Sequence, residues 1–121
     1  MKNIIFVDDE RVLLDGLRAR LYRHRNDWQM QFALSGEEAI ALFEKEPVDL
    51  IVSDVRMPFC SGLDVLEEVH RSRCRTPVLL MTAFGDRGLS NRVRALGGRL
   101  LDKPFTPLAL RKAVRELLGR G

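Results

Sequence analysis

Four places in the chain put a reactive polar group directly behind an apolar run. Asp8, Asp9 and Glu10 follow Asn3–Val7, and Asp54 follows Val48–Ser53. Thr82 closes the run Pro77–Thr82, and Lys103-Pro104 follows a weaker run at Arg99–Leu101. Taken singly, an Asp behind a strand most often caps the next turn, and an acidic triplet ahead of a helix most often offsets the helix dipole. Gathered at one point, carboxylates repel one another unless a cation or a proton intervenes. Mg²⁺ takes hard oxygen ligands, typically one or two carboxylates together with a substrate phosphate, and suits this set. A Lys ammonium supplies a point charge for a phosphoryl oxygen, and a Thr hydroxyl supplies a donor. The chemistry that fits is phosphoryl transfer to Asp54.

Such a convergence requires a fold that delivers all four positions to one edge. Five segments read as strands: Asn3–Val7, Gln29–Leu34, Val48–Ser53, Pro77–Thr82 and Arg99–Leu101. The run ending at Ser53 is apolar throughout Leu50–Val52, as a strand buried on both faces requires, and Pro58 stops it from continuing. Asp54 is then expected on a loop facing solvent, with Gly62 as a flexible turn residue before the next helix. Helical patterns fall between and after the strands. In the first, Val12, Leu13, Leu17 and Leu21 form the apolar stripe, opposite Arg11, Asp15, Arg18 and Arg20. The second opens at Ser35, three residues before Glu38 in capping-box spacing, and buries Ala39, Ile40, Leu42 and Phe43. Leu63, Val65, Leu66 and Val69 mark the third, Asp86–Leu96 the fourth, and Leu110, Val114 and Leu117 the fifth. Strand and helix in strict alternation imply right-handed crossovers and an α/β fold with a parallel sheet covered on both sides. Ligands of such sheets bind beyond the carboxyl ends of the strands, where the four positions fall.

A chain of 121 residues accommodates one domain and one core. Its start lacks the apolar run of a secretion signal and nothing approaches a membrane span, so a cytoplasmic protein with no membrane partner is expected. Cys60 and Cys74 have no metal-type spacing and read as ordinary thiols. His24 and His70 both fall on helical surface patterns, which makes neither a catalytic candidate. The net charge of +3 is too small to argue for direct nucleic-acid binding. From Gly85 onward, however, nine basic residues (Arg87, Arg92, Arg94, Arg99, Lys103, Arg111, Lys112, Arg115 and Arg120) face only Asp86, Asp102 and Glu116.

The acidic pair after the first strand, Asp54-x-x-Met57-Pro58-x-x-x-Gly62, Thr82-Ala83 and Lys103-Pro104-Phe105 together resemble the receiver domain of bacterial two-component response regulators. The resemblance spans essentially the whole chain, residues 1–121. It implies a five-stranded parallel sheet of order 2-1-3-4-5 in a flavodoxin-like three-layer sandwich. It implies Asp54 as phosphoacceptor, and Mg²⁺ held by Asp8, Asp9, Asp54 and the backbone carbonyl of Arg56. It gives Thr82 and Lys103 contacts with the phosphoryl group. A sensor histidine kinase or phosphotransfer protein is the implied donor. The region of the fourth helix, fifth strand and fifth helix is the implied surface for a C-terminal output domain or a homodimer.

The chain departs from the family where Leu100 takes the place of the usual aromatic switch residue, which would act together with Thr82. Leu100 cannot reproduce the motion of a ring, and Gly97-Gly98 just before it adds backbone freedom. A second class of function is an enzyme using Asp54 as a covalent nucleophile on a separate substrate, as dehalogenase-type phosphatases do. Those carry Asp-x-Asp, and here Arg56 stands where the second Asp would be.

Overall fold

The central strand carries the sheet because its side chains have dry surroundings on both faces: Leu50, Ile51, Val52 and Ser53 are each 0% exposed. The computed structural model describes residues 1–83 and 87–119, of Arg87 the backbone only. In chain order the elements are β1 Lys2–Val7, α1 Arg11–Leu21, a short 3-10 turn Tyr22–His24, β2 Trp28–Ala33, α2 Gly36–Lys45, β3 Leu50–Asp54, α3 Gly62–Arg71, β4 Val78–Thr82, α4 Arg87–Ala95, β5 Arg99–Asp102 and α5 Pro107–Leu118. All neighbouring strands pair in parallel, in the order β2-β1-β3-β4-β5.

Alternation along each strand splits the core in two. Ile4, Phe6, Val52 and Met81 lie beneath α1 and α5, where Leu14, Leu17, Leu110 and Val114 cover them. Ile5, Val7, Ile51 and Leu80 lie beneath α2, α3 and α4, covered by Ala39, Val65, Leu66 and Val93. Each fully buried aliphatic side chain stabilises the fold by roughly 1.5–3 kcal/mol relative to exposure. Helix starts are fixed locally. Ser61 and Asp64 exchange side chain and backbone in a full capping box at α3, and Thr106 Oγ1 accepts the Ala109 amide at 3.0 Å ahead of Pro107.

Several local expectations are corrected. The apolar stripe of α1 is Leu14, Leu17 and Leu21, while Val12 and Leu13 are exposed at 81% and 44%. At about 100° per residue, Leu14, Leu17 and Leu21 share an arc of roughly 60°, and Leu13 falls at its margin. His24 is buried rather than on a surface face, because α1 ends at Leu21 and the tighter turn swings the ring inward against Trp28, 4.4 Å between ring centres. At α2 only half of the capping box forms: Ser35 Oγ accepts the Glu38 amide, whereas Glu38 Oε2 accepts the amide of Leu34. Asp54 is the last residue of β3, not a solvent-facing loop residue. Gly62 is required for close approach rather than flexibility, since a Cβ there would stand 2.3 Å from the Asp54 carbonyl oxygen. The fourth helix runs Arg87–Ala95, and Asp86, where it was expected to start, lies outside the described residues, as do Gly85 and Arg120. No helix among the described residues is long and apolar enough to cross a membrane.

Candidate functional site at the carboxyl edge of the sheet

Strand register decides what meets here. Val7 pairs with both Ala33 and Ser53, Asp54 with Met81, and Thr82 with Asp102, so Asp8, Asp54, Thr82 and Lys103 emerge at one edge. Two backbone bonds tie the exits of β1 and β5 to their neighbours β2 and β4: Asp8 N–H donates to Ala33 O at 3.1 Å, and Lys103 N–H donates to Thr82 O at 2.7 Å. The Lys103–Pro104 peptide is cis.

Asp8, Asp9 and Asp54 each offer a carboxylate oxygen, all within 4.8 Å of one another. Lys103 Nζ lies 3.1 Å from Asp54 Oδ1, with side chains only 26% and 15% exposed. Asp8 is nearly buried, and that burial pushes its carboxyl above the ordinary value. The Glu10 amide, donating to Asp8 Oδ1 at 3.0 Å, opposes the shift, as Lys103 does, whereas Asp54 and Asp9 add to it. One ammonium thus faces three carboxylates. The donor set is all oxygen and anionic, and it fits a hard divalent cation.

Thr82 is buried at the end of β4, beside the exit of β5. Arg56 sits with its side chain exposed on the loop between β3 and α3. That loop is closed at its base, where Gly62 N–H donates to Val55 O at 2.9 Å and Val55 N–H to Met81 O at 3.0 Å. Leu100 is not part of the acidic cluster. It pairs with Leu80 in β5 and packs, partly buried, in the core beneath α2, α3 and α4. Cys60 is half-buried, and burial raises its thiol, with Asp64, Glu37 and Glu68 adding to the shift, so it stays a protonated packing group. A cleft of about 350 Å³ borders the cluster, lined by Asp8, Leu13, Arg20, Lys103, Pro104 and Phe105 among others.

One feature of this edge was not anticipated from the sequence, in which Phe59 was merely an unspecified residue between Pro58 and Gly62. Its side chain is 98% exposed and its backbone takes φ +66°. No pattern of hydrophobic spacing signals a single exposed aromatic in a loop.

The sequence profile of the response regulator receiver domain family matches residues 4–115. The transcriptional regulatory protein TrcR of Mycobacterium tuberculosis is 34% identical over 116 residues, covering 96% of this chain and 44% of that protein. The transcriptional regulatory protein CpxR of Klebsiella pneumoniae is 36% identical over 125 residues, covering 99% of this chain and 50% of that one. The chain therefore spans about half the length of the curated relatives it matches. The chemotaxis protein CheY4 of Vibrio cholerae superposes with a TM-score of 0.86 at 28% identity, covering 97% of this chain and 98% of its own. With its five parallel strands, its acidic edge and this match along nearly its whole length, the chain belongs to the response regulator receiver domain family.

Proposed function

We propose that Asp54 accepts a phosphoryl group from a histidine-phosphorylated donor protein and that the modified domain changes its affinity for an output partner. The observation that carries this reading is the position of the Asp54 carboxylate, 3.1 Å from the Lys103 ammonium and within one cluster with Asp8 and Asp9. A carboxylate oxygen of Asp54 forms the new P–O bond as the donor's P–N bond breaks, and the departing imidazole nitrogen keeps the bonding pair. Lys103 is placed to neutralise a phosphoryl oxygen, and the Thr82 hydroxyl to donate to one. Asp8, Asp9, Asp54 and the Arg56 carbonyl would hold Mg²⁺, whose charge, when bound, offsets that of the phosphoryl oxygens. Water later cleaves the acyl phosphate, so the domain is a self-limiting switch and not a catalyst turning over a free substrate. Arg56, standing two residues beyond Asp54, favours this reading over a dehalogenase-type phosphatase.

In this reading residues 1–121 form one receiver unit of a cytoplasmic signalling protein. The donor is a sensor histidine kinase or a phosphotransfer protein. An output segment, or a second copy, engages α4, β5 and α5. Beryllofluoride, which mimics a carboxylate-bound phosphoryl group, tests the site directly. It is expected to bind the wild type only with Mg²⁺ present, and not Asp54→Asn. Undiminished binding in EDTA, or to the variant, sinks the assignment.

A further inference from the structure

Phe59 occupies a backbone conformation that an aromatic residue rarely takes, and it puts the whole ring in water. Cys60 N–H donates to Pro58 O at 2.7 Å across Phe59, whose φ is +66°. This is a γ-turn with its central residue in the left-handed region, the rarer and more strained of the two γ forms. A bulky side chain there is a true outlier, and such strain persists only where the surroundings enforce it. They do so on both sides of the turn. Before it, Val55 O is held by the Gly62 amide; after it, Ser61 and Asp64 lock the start of α3, and Cys60 packs so closely on Gly36 that a Cβ there would stand 2.6 Å from its sulfur. The loop is fixed while the ring touches solvent over 98% of its surface.

The ring stands five residues past Asp54 on the loop that borders the acidic crevice. On the reading given above, a donor histidine must reach an Asp54 side chain that is only 15% exposed. The donor's own surface then has to settle on the rim. The helices that follow β1 and β5 at this same edge also show apolar side chains to water: Val12 and Leu13 in the first turn of α1, and Leu108 in the first turn of α5, exposed at 81%, 44% and 67%. A small phosphodonor reaches Asp54 without touching any of them. An exposed aromatic that fills a partner's pocket is the kind of residue that dominates protein interfaces.

We propose that Phe59 is a docking anchor for the protein phosphodonor, a residue that sets which histidine-phosphorylated protein this domain accepts. The proposal rests on Asp54 as the acceptor, and the test separates the two. Autophosphorylated, radiolabelled histidine kinases from the source organism are mixed one at a time with the wild type, and the fastest donor is carried forward. Phosphoramidate serves as the small phosphodonor. Phe59→Ala is expected to slow transfer from that kinase by about tenfold and to leave phosphorylation by phosphoramidate unchanged. Phe59→Tyr, which keeps the ring, should restore most of the kinase rate. Phe59→Gly should lose the kinase rate while raising Tm by a few degrees, because glycine relieves the strained backbone. A wild-type rate with the kinase for Phe59→Ala overturns the proposal. Equal losses with both donors do so too, since Phe59 would then act on the site itself. Unchanged transfer with loss of a beryllofluoride-dependent dimer assigns the ring to a second copy instead. A wild type that takes no phosphoryl group from phosphoramidate overturns the Asp54 reading, and this proposal with it.

Discussion

At the scale of single residues, the carboxylates of this edge crowd one another at a cost in stability. Asp8 shows it most clearly, since burial is the main cause that raises its carboxyl above 3.8, with Asp54 and Asp9 adding to it. A carboxyl raised in the folded state costs stability once ionised: folding binds the proton more tightly than the unfolded chain does, and that advantage is lost as pH rises through the folded value. Asp8→Asn keeps an oxygen for the Glu10 amide and removes the charge. Without divalent cation, the variant is therefore expected to melt a few degrees above wild type at neutral pH, and the gap should close as pH falls below about 3.8. Excess Mg²⁺ should then raise the Tm of the wild type and move the variant far less. Melting curves across pH, with and without Mg²⁺, decide it; an Asp8→Asn protein less stable than wild type at neutral pH and free of metal contradicts it. That Asp8, Asp9, Asp54, Thr82 and Lys103 come out at one edge was legible in sequence, because a buried parallel strand ends in a short exit whose polar residue has one place to go. Phe59 was not, since its meaning lies in a backbone angle and an exposure that no spacing encodes.

At the scale of elements, α4 and β5 are anchored largely by partly buried apolar groups, Leu89, Leu100 and Leu101. Val93 is a buried side chain of α4, and Gly97, at φ +79°, turns the chain into β5. Polar ties do the rest: Arg92 pairs with Glu67 of α3, and Arg99 with Glu116 of α5 at 2.7 Å, both partly exposed and each worth at most about 1 kcal/mol. Leu100 packs in the same core as Leu89, Val93 and Leu96, so a change at the Thr82 end of β4 and β5 would have aliphatic contacts, and no swinging ring, through which to reach α4. A bound phosphoryl group can shift this segment only by interacting differently with its two arrangements. Hydrogen exchange with and without beryllofluoride is expected to change most in α4 and the adjoining Leu96, with Leu100 and Leu101 nearly silent. A change confined to Leu100 and its neighbours would show that Leu replaces the aromatic in full. The faces of α3 and α5 followed from hydrophobic period, and the strand order followed from the resemblance to receiver domains. The inward side of α1 did not, because a two-turn stripe can be drawn from either Leu13 or Leu14, and the expected start of α4 at Asp86 lies outside the described residues.

At the scale of the whole molecule, the two cores differ in what closes them. The core under α2, α3 and α4 is sealed by aliphatic packing, whereas the core under α1 and α5 ends at a corner built from His24 and Trp28. His24 Nε2 is buried there with no hydrogen-bond partner among the described residues, and its Nδ1 lies 3.8 Å from Asp27. Burial holds the imidazole below its ordinary value of 6.5, and Arg115 and Arg111 of α5 together with Arg23 push the same way, against Asp27. The unfolded chain therefore takes up this proton before the folded one does. The stabilisation from a neutral His24 is complete above pH 6.5 and is lost as pH falls from 6.5 through the lowered folded value. Phe at this position keeps a ring against Trp28 and removes both the titration and the orphaned nitrogen. His24→Phe is thus expected to unfold with a flatter pH dependence below 6.5 than wild type, and to gain on it steadily as the solution is acidified. Trp28 is the only tryptophan in the chain, so its fluorescence during denaturant unfolding reads this corner directly. Parallel slopes for the two proteins between pH 6.5 and the acid limb would place the acid sensitivity elsewhere, and the carboxylates of the opposite edge would then be the groups to replace next.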